Sequence, residues 1–384
     1  METLRSNRRY DLDWIRVIVF GLLILYHVGM VFVPWDFHIK NETIADWIEW
    51  PMSFLSRWRL PILFLISGMG TRMALSSRSW GEFLSERTVR LFFPLVFGIL
   101  VVVPPQVYAE RQVQGAEYGS YWQFYPHFFE GVYPSGNFSW HHLWFLPYLL
   151  VYSILLSPLF VYLRNNPNCR FLRVAERGML DGKLWIAMAI PLILAEYALR
   201  PYFPSTRNLV WDWYHFVQYL LMFLYGFVLI SLQKTFWPTL DRIGMKALAI
   251  GLTTFLLLML PRVLEISSIP TRMAAPILEA VNAGAWCLAV IALGSRYLNR
   301  PSPLLAYCNS AVYPCYIAHQ TILIIAAYYT YDQAWPVMLK FLLLSAMTLV
   351  GSLLTFEVVR RVPVLSTCFG IKAAPVSLRA QEHN

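Results

Sequence analysis

Residues 12–33, LDWIRVIVFGLLILYHVGMVFV, form the first long apolar run of the chain. A helix needs about 20 such residues to cross the hydrocarbon core of a bilayer. Arg5, Arg8 and Arg9 precede the run, as basic residues precede the apolar part of a signal peptide. The run is too long for such a peptide, however, and no small-x-small cleavage pattern follows it. We therefore predict a retained first transmembrane helix.

The composition extends this reading to the whole chain. Of 384 residues, 58% are hydrophobic and only 14% are charged, against about 25% charged residues in soluble domains. A water-soluble globule could not cover so much apolar surface, and a disordered chain would need more charge. The net charge is +9, but no cluster of Lys and Arg interleaved with aromatic residues is present. Nucleic acid is therefore excluded as a partner.

Apolar runs predict an all-α polytopic membrane protein with about ten transmembrane helices. We expect one membrane-embedded domain over residues 1–384, with a core at about 9–360 and a short cytoplasmic tail at 361–384. The second and fifth segments are the least apolar. The predicted spans are 12–33, 55–75, 88–108, 142–164, 184–200, 212–232, 244–261, 277–297, 304–329 and 336–359.

The Lys and Arg residues indicate the orientation. With ten spans, 22 of the 31 fall on the side of the two termini and nine on the other side. By the positive-inside rule, both termini face the cytoplasm. The loops at 36–49 and 104–141 then face outward.

Ionisable side chains within spans mark candidate functional sites. Arg16 and His27 lie 11 residues apart on the first predicted helix, which puts them on one face with about 16 Å of rise between them. Asp13 lies three residues before Arg16 and can pair with it. The alternatives remain open: Arg16 can be a membrane-anchoring arginine, and His27 a structural hydrogen-bonding residue.

His319 lies about as deep in the ninth span as His27 lies in the first, so both can face one cavity or serve only packing. Arg87 and Arg90 share a helix face at the cytoplasmic mouth of the third span. Paired guanidinium groups suit a phosphate-bearing ligand, although a positive-inside pair looks the same.

His141 and His142 precede Leu143 and Trp144 at the outer end of the fourth span, where the two histidines can line an entrance or lie at the interface beside the aromatic belt. No His, Asp or Glu set has the spacing of metal ligands, and the five cysteines contain no CxxC pair. We therefore predict neither a metal site nor a disulfide framework.

These pieces occur together in a known family. The sequence resembles the acyltransferase-3 family of integral membrane acyltransferases, most closely its glucan biosynthesis protein C branch, which is associated with succinylation of periplasmic glucans. The resemblance covers about residues 9–360, and the order and spacing of the motifs carry it. The matching segments are Arg9–Arg16 with Tyr26-His27, Phe64-Leu65-Ile66-Ser67-Gly68, Arg87-Thr88-Val89-Arg90, His142-Leu143-Trp144-Phe145-Leu146, and Ser310–Tyr313 through His319.

The resemblance implies a multi-pass enzyme of the bacterial inner membrane. It would move an acyl group, succinyl or acetyl, from cytoplasmic acyl-CoA to a hydroxyl of an extracytoplasmic carbohydrate, most simply a periplasmic glucan. No cofactor is permanently bound, and a homodimer is left open. The implied site has catalytic His27 and His319, donor-binding Arg16, Arg87 and Arg90, and substrate-binding His142, Trp144 and Tyr313.

A transporter or exporter of a small anionic or sugar substrate is the rival class. It shares the polytopic architecture and the intramembrane Arg and His residues. A pair of Gly- or Pro-broken helices at matching positions in the two halves often indicates inverted transporter repeats. The sequence contains no such pair, which argues against a transporter.

Overall fold

A computed structural model describes residues 8–266 and 268–371. Within these ranges the chain is helical, and its only strand-like pairing is an isolated bridge between Val132 and Phe138. The α-helices are α1 (Tyr10–Met30), α2 (Asp46–Leu75), α3 (Trp80–Phe97), α4 (Pro104–Val113), α5 (Tyr121–Phe124), α6 (Phe145–Asn165), α7 (Arg170–Asp181), α8 (Lys183–Ala198), α9 (Trp213–Ser231), α10 (Gln233–Val263), α11 (Ile269–Tyr297), α12 (Pro303–Tyr328), α13 (Val337–Val359) and α14 (Pro363–Cys368).

Eight helical segments of the described chain are long and apolar enough to cross a membrane. They are Tyr10–Met30, Trp80–Val113, His141–Asn165, Trp213–Ser231, Gln233–Val263, Ile269–Tyr297, Pro303–Tyr328 and Val337–Val359. A ninth arises if α7 and α8, which meet at 106°, form one broken span. The predicted class, an all-α polytopic membrane protein, is confirmed. The sidedness of the termini stays a prediction.

The difference from ten spans lies in the two least apolar segments. The predicted fifth span coincides with α8, the second arm of the bent pair. The predicted second span is the C-terminal part of α2, which has 30 residues but is not apolar enough to qualify. Arg57 and Arg59, both within the predicted span, account for much of this lower hydropathy.

The described residues pack as two units, and the first takes its residues from the ranges 1–19, 53–84 and 151–306. In this unit α2 and α9 approach closely through glycines. A Cβ on Gly68 would overlap the backbone oxygen of Phe223, and a Cβ on Gly226 would overlap that of Leu65. Small residues let membrane helices meet at backbone distance. The Phe64–Gly68 motif therefore has a packing explanation.

The start of α1 is anchored in the same unit. Arg9 donates to both oxygens of Asp11 at 2.9 and 2.7 Å and to the Ser295 hydroxyl at 2.8 Å. Its guanidinium carbon also lies 3.4 Å from the centroid of the Trp237 ring. Since Asp11 is fully buried, this cluster fixes the helix start, and part of the first motif is structural.

The second unit takes its described residues from the ranges 20–52, 85–150 and 307–384. After α3 the chain makes a π-helical turn at Gly98–Val102, a form that frequently occurs at functional sites. The Thr321 hydroxyl donates to the Val102 carbonyl at 2.7 Å and accepts from Gln106 Nε2 at 2.7 Å. Gln320 donates to Gln106 Oε1 at 3.2 Å. These bonds hold the middle of α12 in place.

Candidate functional site

The two intramembrane histidines meet in the second unit. His27 Nδ1 lies 2.9 Å from His319 Nε2, and the ring centroids are 5.1 Å apart at an interplanar angle of 21°. Both side chains are buried. The equal depth expected from the sequence thus becomes a direct hydrogen bond, brought about by the packing of α1 against α12.

The partners of His319 determine which nitrogens carry protons. His319 Nδ1 lies 2.7 Å from the carbonyl oxygen of Tyr316. A carbonyl only accepts, so Nδ1 donates and Nε2 of a neutral His319 has the lone pair. His27 Nδ1 must then donate to His319, which leaves Nε2 as the basic nitrogen of a neutral His27. This chain of hydrogen bonds fixes the orientation of the His27 ring, as a hydrogen bond to the other ring nitrogen does in many functional histidines.

His142 joins the pair from the start of the His141–Asn165 span. Its Nε2 lies 2.9 Å from the Ile317 carbonyl, and its ring contacts His319 edge-on at a centroid distance of 5.1 Å. The Tyr316 hydroxyl donates to the His142 carbonyl at 2.5 Å. His142 Nδ1 is buried and has no hydrogen-bond partner within the described chain. It can therefore accept a hydrogen bond from a ligand.

Tyr313 lies at the other end of this part of α12. Its hydroxyl donates to the Arg90 carbonyl at 2.8 Å, and the Arg90 guanidinium carbon lies 6.0 Å from the ring centroid. Tyr316 bridges the gap, with ring centroids 6.4 Å from Tyr313 and 6.0 Å from His319. The structure thus joins Tyr313 to the Arg-x-x-Arg pair, in which Arg87 is half-buried and Arg90 exposed.

Arg16 and Trp144 lie outside this line of contacts. Arg16 Nη1 is 3.2 Å from Asp13 Oδ1, so the expected pairing is confirmed. Arg16 and Asp13 belong to the first unit, whereas His27 belongs to the second. Trp144 is buried, with its ring edge-on to Tyr148 at 5.2 Å, which favours a packing role over substrate contact.

Two further polar side chains in or beside the apolar helices, His215 and Glu196, have structural partners in the first unit. Asp212 caps α9, and its Oδ1 lies 2.8 Å from His215 Nδ1. Glu196 pairs with Arg200 at 2.8 Å and accepts from the Tyr214 hydroxyl. These contacts account for His215 and Glu196 without a ligand.

A second cluster of the second unit contains His141, which the sequence offered as an entrance residue, together with His38 and Glu110, which the sequence did not single out. His38 Nδ1 lies 2.8 Å from Glu110 Oε2, the Tyr133 hydroxyl donates to Glu110 Oε1 at 2.9 Å, and the rings of His38 and His141 have centroids 4.3 Å apart. Burial and the Glu110 carboxylate raise the pKa of Tyr133, so it stays a donor. Nothing in the sequence indicated that His38 and Glu110 lie beside His141, because the three residues are far apart in the chain.

The comparisons with known proteins agree with the resemblance. The acyltransferase-3 family model, described as "Acyltransferase domain", matches residues 9–357. The chain is 23% identical over 394 residues to Glucans biosynthesis protein C of Escherichia coli O17:K52:H18 (strain UMN026 / ExPEC), and the alignment covers 97% of each chain.

The protein of the same name in Escherichia coli O81 (strain ED1a) gives the same identity and coverage. The protein of that name in Escherichia coli (strain K12) is 25% identical over 170 residues, which is 43% of this chain and 42% of that protein. No solved structure matches the chain. Because the family model covers nearly its whole length, this protein belongs to the acyltransferase-3 family of membrane acyltransferases.

Proposed function

We propose that this enzyme transfers an acyl group from acyl-CoA on the cytoplasmic side to a hydroxyl of an extracytoplasmic carbohydrate. The observation that carries the proposal is the hydrogen-bonded chain from Tyr316 through His319 to His27. It presents one basic ring nitrogen, at a buried position, in a chain that belongs to an acyltransferase family.

In the proposed step, His27 Nε2 takes the proton of the acceptor hydroxyl as its oxygen attacks the thioester carbonyl. A carbon–oxygen bond forms and the carbon–sulfur bond breaks. The proton then returns from His27 to the leaving CoA thiolate. General-base assistance of this kind contributes about 10²–10⁴-fold in rate, and His319 acts as the residue that positions the base.

The donor is proposed to bind along the line from Arg90 to His319. Arg87 and Arg90 supply guanidinium groups for the CoA phosphates. Tyr313 lies six residues before His319 on α12, which is about 9 Å along the helix. An extended pantetheine arm can cover that distance. Arg16 remains a third proposed phosphate ligand, supported by its spacing from His27 on α1.

The acceptor proposal rests on the relatives, whose name refers to glucan biosynthesis. A periplasmic glucan would place this enzyme in a bacterial inner membrane, with its acceptor outside. The acyl group is proposed to be succinyl or acetyl. A succinyl group would need a cation for its carboxylate. Lys40 could be that cation only by giving up existing bonds, because its ammonium group already donates to the carbonyls of Met30, Val33 and Trp35.

The test uses the purified protein in proteoliposomes with labelled succinyl-CoA or acetyl-CoA outside and a glucan oligosaccharide inside. We expect acylated glucan by mass spectrometry from the wild type and none from His27→Asn. Product formed equally by His27→Asn would refute the base assignment. Uptake or export of intact substrate without acyl-CoA would favour a transporter, and acyl passage without acylated glucan would favour a protein that only moves the acyl group.

The donor site has its own test. Arg87→Ala with Arg90→Ala should raise the KM for acyl-CoA and leave the glucan KM unchanged. Arg170→Ala removes an exposed arginine from α7 and is the matched control. An unchanged donor KM in the double variant would contradict the phosphate assignment.

A further inference from the structure

We propose that His38, Glu110 and His141 form a zinc-binding site distinct from the His27 pair. One ligand atom from each of the three lies within 4.8 Å of the others. Two histidines and one glutamate are a ligand set that zinc uses when a fourth position stays open to water or substrate. The sequence predicted no metal site because no His, Asp or Glu residues have ligand spacing along the chain. His38, Glu110 and His141 are far apart in sequence and come together only in the tertiary structure.

A buried ring nitrogen of His141 has no hydrogen-bond partner within the described chain, which supports the proposal that it binds a metal ion. His141 is only 8% exposed. Its Nδ1 lies 3.4 Å from the Ser139 hydroxyl, whereas its Nε2 is buried and has no hydrogen-bond partner within the described chain. A buried polar atom left unpaired costs about 1–3 kcal/mol, and a metal ion would remove this cost. His141 also has a positive φ of 41°.

The remaining ligands are already oriented. Tyr133 donates to one oxygen of Glu110, so the other oxygen is directed toward His38, 2.8 Å from Nδ1. The neighbouring Arg111 does not compete for the carboxylate, because its guanidinium group is bound by Asn137 and by the carbonyls of Pro134 and Gly136. Such outer partners orient metal ligands and tune their affinity.

The geometry needs only small adjustments: His38 Nδ1 and Glu110 Oε2, 2.8 Å apart, would have to separate slightly, whereas all three ligand atoms already lie within 4.8 Å of one another. Zinc with ligand bonds of about 2.0–2.2 Å holds its donor atoms about 3.4 Å apart in a tetrahedral site. The three side chains come from the α1–α2 connection, from α4 and from the turn before α6. Side-chain rotations can make these adjustments, and the ion would then link three separate outer segments of the second unit.

The experiment measures metal, independently of acyl transfer. The full-length protein in nanodiscs is stripped with a chelator, incubated with Zn²⁺, desalted and analysed by mass spectrometry for bound zinc. We expect about one zinc per chain. Glu110→Gln, which keeps an acceptor for Tyr133, and His141→Asn should each lower the zinc affinity by at least about tenfold.

The control is His127→Asn. His127 Nδ1 lies 3.0 Å from Glu130 Oε1 in the same outer loop, where both side chains are exposed. The His127→Asn variant should bind zinc with the same affinity as the wild type. Co²⁺ in the wild type should give the visible bands of a four-coordinate site, which tests the ligand set without any variant. No retained zinc in the wild type, equal retention in all variants, or six-coordinate Co²⁺ bands would overturn the proposal.

Discussion

His319→Phe tests the proton chain most directly. Phenylalanine keeps a ring against Phe20, Tyr316 and His142 but lacks the nitrogen that accepts from His27 at 2.9 Å. An unpaired buried N–H costs about 1–3 kcal/mol. If that cost falls on the tautomer with a basic Nε2, its population drops roughly 5- to 150-fold, and kcat should drop with it.

The assay is acyl transfer at saturating acyl-CoA, with the donor KM measured in parallel. The KM should stay near its wild-type value, because the proposed phosphate ligands are unchanged. His319→Gln offers an acceptor oxygen and should recover part of kcat. Phe20→Leu, which alters packing against the His319 ring (centroids 5.8 Å apart) but no hydrogen bond, should retain nearly full kcat.

Two results would refute the reasoning. One is His319→Phe with wild-type kcat, since the base would then need no partner. The other is an equal loss in His319→Phe and His319→Gln with lowered thermal stability in both, because that pattern indicates packing rather than proton placement.

Three further predictions concern packing, stability and pH. Gly68→Ala should lower the Tm, because its Cβ meets the Phe223 backbone and overpacking costs about 1–3 kcal/mol; Gly70→Ala, which has open space on the same helix, should not. Thr321→Val removes both the bond to the last carbonyl of the π turn and the acceptor of Gln106, and it should cost about 1–3 kcal/mol in a denaturant titration. Burial lowers the pKa of Lys40 to about 8 from 10.5, so its charged form opposes folding below pH 8; wild-type stability relative to Lys40→Met should rise between pH 8 and 10.5, and a flat difference would contradict this.

The sequence predicted the parts of the site that follow from local regularity. Arg16 and His27 share α1, and Asp13 pairs with Arg16, because helical spacing determines which side chains are neighbours. The apolar runs likewise predicted most of the spans. The second segment was predicted to span the membrane, but its hydropathy is too low. Arg57 and Arg59 lower the hydropathy, although the helix itself is long.

The sequence could not predict which nitrogens carry protons. That outcome depends on the carbonyl of Tyr316, a backbone group with no signature of its own. The sequence also could not place Tyr313 beside Arg90. The position of a residue along one helix does not determine which neighbouring helix its side chain contacts.

By itself, the sequence determined the membrane class and the motifs that identify an acyltransferase. Both follow from short-range quantities: the length of apolar runs, and the kind and spacing of residues along a helix. Only the tertiary structure decided that His27 bonds His319, and that His38, Glu110 and His141 converge from three separate segments. The 2.9 Å distance between the two histidines, and the convergence of the three other side chains within 4.8 Å, arise from tertiary packing, which no local pattern encodes.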